Sequence, residues 1–155
     1  MCKKCIFCAI VAKESPVCIV WEDESHIAFL SDRPNTLGFT VVASRHHYSS
    51  YAFTAPSEFY QGLLSASAIV AQKLDAAFDD VGRTGLILEG FGVDHLHAKL
   101  VPLHGTAGEW RARRSSVDKF FLEYEGYISS HDHLPVPRES LDSLASNIRT
   151  AKVIE

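Results

Sequence analysis

The chain alternates short apolar runs with polar breaks in its first half, and the period of alternation changes twice. Val17–Glu22 and His26–Leu30 read as two strands joined by the polar turn Asp23-Glu24-Ser25. Asp32–Gly38 is a loop punctuated by Pro34 and Gly38. Phe39–Ala43 is apolar and β-branched, the composition of a central strand. From Pro56 to Phe78 the period lengthens. Phe59, Leu63, Ser67, Val70, Leu74 and Phe78 recur at three- and four-residue steps, which predicts a long helix with one apolar face. Thr54 is its candidate cap, Pro56 suits the first turn, and Glu58 complements the positive helix end.

After the Val81–Gly85 break the pattern returns to strands. Leu86-Ile87-Leu88 is one, and Asp94–Pro102 alternates so that Leu96, Ala98 and Leu100 face a core while His95, His97 and Lys99 share the opposite face. Beyond Pro102 the signal weakens into a loop or arm over 103–118. An aromatic stretch from Phe120 to Ile128 is a candidate strand, and Arg138 to Lys152 a second helix. The expected organisation is an α+β domain: a core over 1–104 and a C-terminal elaboration of the same domain over 105–155.

Composition narrows the function classes. A chain of 155 residues, 46% hydrophobic and 22% charged, is an ordinary globular protein able to bury a core without disulfides. Its net charge of -4 supplies no global attraction to nucleic acid or anionic membranes. No apolar run reaches the roughly 20 residues of a membrane span. Lys3 and Lys4 precede a short apolar run, but it passes straight into Lys13-Glu14 without a cleavage site, so a secretory signal is not expected. All four cysteines (Cys2, Cys5, Cys8, Cys18) crowd into the first 18 residues. That crowding fits metal binding in a reducing cytoplasm better than a disulfide framework.

Two groups of residues carry chemistry. Cys5-Ile6-Phe7-Cys8 can place two thiolates on one tetrahedral ion, zinc being the usual occupant, with a redox pair and plain buried thiols as the rival readings. Such a site lacks two ligands, and His46 and His95 are the natural candidates. The second group is His95-Leu96-His97-Ala98-Lys99. A neutral imidazole there can attack phosphorus, and Gly90 and Gly92 just upstream allow backbone to approach a phosphate, or simply form a turn.

In order and spacing these residues resemble the histidine-triad (HIT) superfamily of nucleotide hydrolases and transferases. His95-Leu96-His97-Ala98-Lys99-Leu100-Val101-Pro102 is similar to its His-x-His-x-His signature, Cys5-Ile6-Phe7-Cys8 to the zinc-binding start of many prokaryotic members, and Ala28–Pro34 and Gly38–His46 to its loop and strand leading to a histidine. The resemblance covers about residues 5–104. It implies an antiparallel sheet of about five strands with one long helix packed on it, and a homodimer. It further implies attack by His97 on the α-phosphate of a nucleotide, a structural zinc on Cys5, Cys8, His46 and His95, and a ribose contact at Asp32. His47 could replace His46 with a one-residue shift, and Ser31 is the neighbouring alternative to Asp32. Lys99 stands where the family has its third histidine, and Phe91-Gly92 where many members have a glutamine and a hydroxyl residue. A nucleotide binder without turnover, and a partner-binding module with a purely structural zinc, are the alternatives that follow from those departures.

Overall fold

The computed structural model describes residues 5–131, 134–137, 139–141, 144, 148 and 149. The chain divides into two compact units, Met1–Arg111 and Ala112–Glu155. In the first, helix α1 (Ile6–Val11) precedes strands β1 (Ile19–Glu22), β2 (His26–Leu30) and β3 (Thr40–Ser44). A single 3-10 turn (Ala52–Thr54) leads to α2 (Ser57–Ala77), and β4 (Thr84–Ile87) and β5 (His97–Pro102) follow. The five strands form one antiparallel sheet in the order β1-β2-β3-β5-β4. Inserting β5 between β3 and β4 makes the histidine strand an interior strand, paired on both sides.

The register explains why the centre is buried on both sides. Val42 pairs with Ala98 and Thr40 with Leu100, while Ala43 pairs with His97 and Val41 with Lys99. Ala28, Val42, Leu96, Ala98 and Leu100 pack under Leu63, Ala66, Val70 and Leu74 of α2. On the opposite face Ile27, Phe29, Val41 and Ala43 pack under Phe7 and Ile10 of α1. Every residue of β3 is therefore buried, the polar Thr40 and Ser44 at its ends included. Helix α1 was not among the expected elements. Six residues are too few to show a helical period, and the cysteine spacing masks what pattern there is.

The predicted long helix is present, with a different start. Pro56 is its N-cap, Ser57 its first residue, and the Thr54 hydroxyl donates to Tyr51 O instead of capping it. One position on its apolar face is costly: the Ser67 hydroxyl is fully buried and has no hydrogen-bond partner among the described residues. An unpartnered buried hydroxyl costs roughly 1–3 kcal/mol and alanine is the better helix former. Ser67→Ala is thus expected to stabilise the protein by about 1 kcal/mol, read from the urea midpoint at unchanged slope.

A polar lock closes the end of the sheet away from the histidines. The Asp80 carboxylate accepts from Gly105 N at 3.0 Å and from His104 Nδ1 at 3.0 Å, and Asp80 O accepts from Thr106 N and Ala107 N. His104 Nε2 donates to Leu37 O at 2.9 Å, and Gly38, at φ +79°, brings that loop against the Phe78 ring. The Leu37 carbonyl and the Asp80 carboxylate hold the imidazole above its usual pKa, and His104 in turn holds Asp80 below the usual carboxylate range. The cationic lock therefore contributes fully below the ordinary histidine value and fades as pH rises through the raised one. Melting wild type and His104→Gln at about pH 5.5 and about pH 8.5 should show the larger gap at the lower pH.

The second unit forms no strand at Phe120–Ile128 among its described residues. That stretch is a series of bends organised by side chains: Phe121 meets Tyr127 edge-on at 5.5 Å and the Lys119 ammonium lies 4.8 Å from the Phe121 centroid. Its aromatic composition suggests a strand, but no strand lies among the described residues of this unit to pair with it. Glu139–Leu141, Leu144, Ile148 and Arg149 are helical, in agreement with the expected second helix. Among the described residues no helix is long and apolar enough to cross a membrane.

Candidate metal centre and phosphate site

Four side chains from three separated segments converge beside β5. Cys5 and Cys8 come from the first turn of α1, His47 from the loop after β3, and His95 from the residue pair just before β5. Their ligand atoms all lie within 4.8 Å of one another. His95 Nδ1 is 3.4 Å from Cys5 Sγ, 3.7 Å from Cys8 Sγ and 3.3 Å from His47 Nδ1, and Cys8 Sγ is 3.5 Å from His47 Nδ1. Around a tetrahedral zinc, with bonds of about 2.0–2.1 Å to nitrogen and about 2.3 Å to sulfur, ligand atoms stand roughly 3.3 Å apart for two nitrogens and about 3.6 Å for nitrogen and sulfur. These four distances fit such a centre, and two thiols with two imidazoles are a donor set that zinc takes.

The tautomer of His95 agrees with that role. Its Nε2 donates to Ser44 O at 2.7 Å, which leaves the Nδ1 lone pair facing the cluster. Burial pushes the imidazole below its usual pKa and so keeps the ring neutral, the form a metal binds.

The structure corrects one expected ligand: His47, and not His46, joins the cluster. The Ser44 hydroxyl donates to His46 O at 2.7 Å, turning the chain as it leaves β3. Asp94 then holds the loop from the other side, accepting from Ser50 N at 2.9 Å and from the Ser49 hydroxyl at 3.2 Å. His47 is directed inward by this turn. His46 is exposed, with its ring 5.3 Å from Tyr48, and lines a cavity with His26, Glu58 and Gly62 on the α2 side.

His97 opens β5 two residues beyond His95. Its Nδ1 donates to His95 O at 2.6 Å, so the lone pair resides on Nε2. The Phe7 ring stands edge-on to it at 5.1 Å and also meets His95 at 5.7 Å and Phe29 at 5.4 Å. With His97 only 4% exposed, burial pushes its pKa down, and neighbouring Lys99 pushes the same way. The His95 carbonyl and Glu89 act in the opposite direction. The result is a neutral imidazole at neutral pH with one nitrogen free to attack or accept a proton.

Lys99, on the same face two residues along, is ion-paired with Glu89, whose side chain is only 7% exposed. Register makes this pair: Ile87 stands opposite Lys99, and Glu89 follows where the chain leaves β4. Gly90 comes next with φ +76°, and a Cβ there would lie 2.8 Å from Ser50 O, so this glycine seats the turn against the His47 loop. Gly92 has open space around its Cα and Phe91 is exposed, which leaves the backbone here accessible to a ligand. Asp32 lies in an exposed bend after β2.

Several residues of this site were missed in the sequence. Phe7 reads there only as a residue between two cysteines, Asp94 as the start of the histidine strand, and Glu89 is not singled out. Glu89 carried one usable signal, being an acid directly after an apolar strand and before a glycine. Nothing local marks Phe7 or Asp94, since each acts across a long stretch of chain.

No protein-family model matches the chain. An uncharacterised HIT-like protein of Methanocaldococcus jannaschii is 30% identical over 129 residues, covering 79% of this chain and 99% of that protein. The crystal structure of a HIT family protein from Bacillus anthracis is similar with TM-score 0.63 and 25% identity, over 98% of this chain and 100% of the other. A zinc-bound histidine-triad family protein from Mycobacterium smegmatis shares the fold with TM-score 0.60 and 22% identity, over 96% of this chain and 98% of the other.

Proposed function

The chain belongs to the histidine-triad family, and from that premise we propose that it is a nucleotide hydrolase or nucleotidyl transferase. It acts at the α-phosphate through a nucleotidyl-His97 intermediate. The observation that carries this reading is the state of His97. Its Nδ1 is tied to His95 O, burial under Phe7 keeps the ring neutral, and Nε2 is left with its lone pair.

The chemistry divides into two displacements. His97 Nε2 attacks the α-phosphorus as the bond to the leaving group breaks and its electron pair departs with that group, and the His95 carbonyl stabilises the positive charge that develops on the ring at Nδ1–H. Water then attacks the same phosphorus as the P–N bond breaks, the electron pair returns to Nε2, and the water's proton passes to bulk solvent as the product phosphate forms. Holding the anion is most of the task in such transfers. In this reading Lys99 supplies a cation on the same face, the open backbone around Gly92 supplies N–H donors, and Asp32 is assigned to accept from a ribose hydroxyl.

Cys5, Cys8, His47 and His95 are proposed to hold a structural zinc. Bound there, the ion would cross-link α1, the β3 loop and the start of β5, fixing the His95 carbonyl that orients His97. It takes no part in the displacement.

The test is direct. The protein is mixed with adenosine phosphoramidate or a diadenosine polyphosphate, quenched on the millisecond scale, and examined by mass spectrometry for an adenylylated peptide containing His97. An adduct on His97 together with turnover supports the reading. Nucleotide binding without adduct or turnover refutes it and leaves a nucleotide-binding protein.

A further inference from the structure

The ion pair between Lys99 and Glu89 bears on which bond the site can break. Resting on the reading of His97 as nucleophile, we infer that this pair suits the site to nucleoside phosphoanhydrides, whose leaving group is another phosphate, over nucleoside phosphoramidates, whose leaving group is an amine.

The argument begins with what each leaving group needs. When His97 Nε2 attacks an anhydride, the P–N bond forms as the P–O bond breaks, and the departing phosphate oxygen carries away the electron pair as an anion. No proton has to move in that step. A nearby cation is enough, and it acts most strongly on the charge that grows in the transition state. With a phosphoramidate, the P–N bond to the amine breaks and the departing nitrogen must receive a proton as it takes the electron pair. That step calls for an acid that yields its proton near neutrality.

An imidazole in the position of Lys99 could meet the second need, because it exchanges a proton near neutral pH. An ammonium paired with a carboxylate meets the first: it is a compact point charge held in place. Glu89 provides the holding. Its carboxylate is almost fully buried and its chain position is set by β4, so Lys99 cannot swing away from the face it shares with His97. Exposed Phe91 and open Gly92 leave no imidazole, carboxyl or hydroxyl on that short stretch to serve as the missing acid.

The experiment compares kcat/KM for diadenosine triphosphate and adenosine phosphoramidate in wild type, Lys99→His and Lys99→Gln. Wild type should favour the anhydride by about 100-fold or more, the range a matched general acid would have supplied to the amine. Lys99→His should move the ratio toward the phosphoramidate by about tenfold or more. Lys99→Gln should lower anhydride turnover on the order of 100-fold, with a smaller loss on the phosphoramidate. Because the wild-type ratio alone is informative, a variant that fails to fold does not remove the test. Equal use of both substrates by wild type, or a ratio unmoved in both variants, overturns this inference while His97 chemistry stands. Absence of turnover and of any His97 adduct with either substrate overturns both.

Discussion

On the proposed reading, His97→Gln is expected to abolish turnover, with kcat/KM falling by about 10⁴-fold or more, the scale on which removal of an enzyme's nucleophile registers. The effect is this large because no neighbour can substitute. His95 has its Nε2 committed to Ser44 O and its Nδ1 turned toward the cysteines, and Lys99 is held by Glu89. Glutamine keeps a polar side chain at the mouth of β5, so nucleotide affinity should change by less than about tenfold. The two measurements separate chemistry from binding: steady-state turnover should collapse while calorimetric titration with a nucleoside monophosphate stays close to wild type. Turnover within tenfold of wild type would refute the covalent route.

Cys8→Ser has the second large effect, and it acts on stability as well as composition. The zinc content of the purified protein should fall from about one ion per chain to none, measured by atomic emission. A ligand that binds only the folded state stabilises by about 4 kcal/mol when present at a thousandfold excess over its dissociation constant. A loss on that order is expected, because unliganded α1 keeps the packing of Phe7, Ile10 and Val11 on the sheet but loses its link to His47 and His95. The same loss should follow when wild type is treated with a strong chelator, and zinc should restore wild type but not the variant. Because α1 carries the Phe7 ring that covers His97, turnover should fall together with the metal. His46→Ala is the control: its ring is outside the cluster, so zinc content should be unchanged, whereas His47→Ala should lower it.

Much of the architecture was legible in the chain because it rests on local physics. The three- and four-residue recurrence from Phe59 to Phe78 requires a helix with one buried face, and α2 buries Leu63, Ser67, Val70 and Leu74 as that period demands. Alternation around Leu96, Ala98 and Leu100 requires a strand, and it puts His97 and Lys99 on one face of β5. Expectation and structure part where a local preference had no tertiary partner. Phe120–Ile128 has strand composition, yet the described residues of its unit include no strand to offer it a ladder. Thr54 is a good capping residue, but the 3-10 turn engages its hydroxyl first.

The site shows the same division. Residue type and spacing alone determined that Cys5 and Cys8 could share an ion, that His95 and His97 would lie together, and that Lys99 would follow on their face. These are relations between residues within a few positions of one another, fixed by bond geometry and by the pleat of a strand. Only the tertiary structure decided that His47 and not His46 completes the cluster, because the choice turns on how Ser44 and Asp94 shape a loop that must meet a helix some 40 residues earlier in the chain. Only the tertiary structure set Phe7 against His97 and Glu89 against Lys99. Those contacts depend on sheet order and register, which arise from packing the whole core at once and leave little trace in any short stretch of sequence.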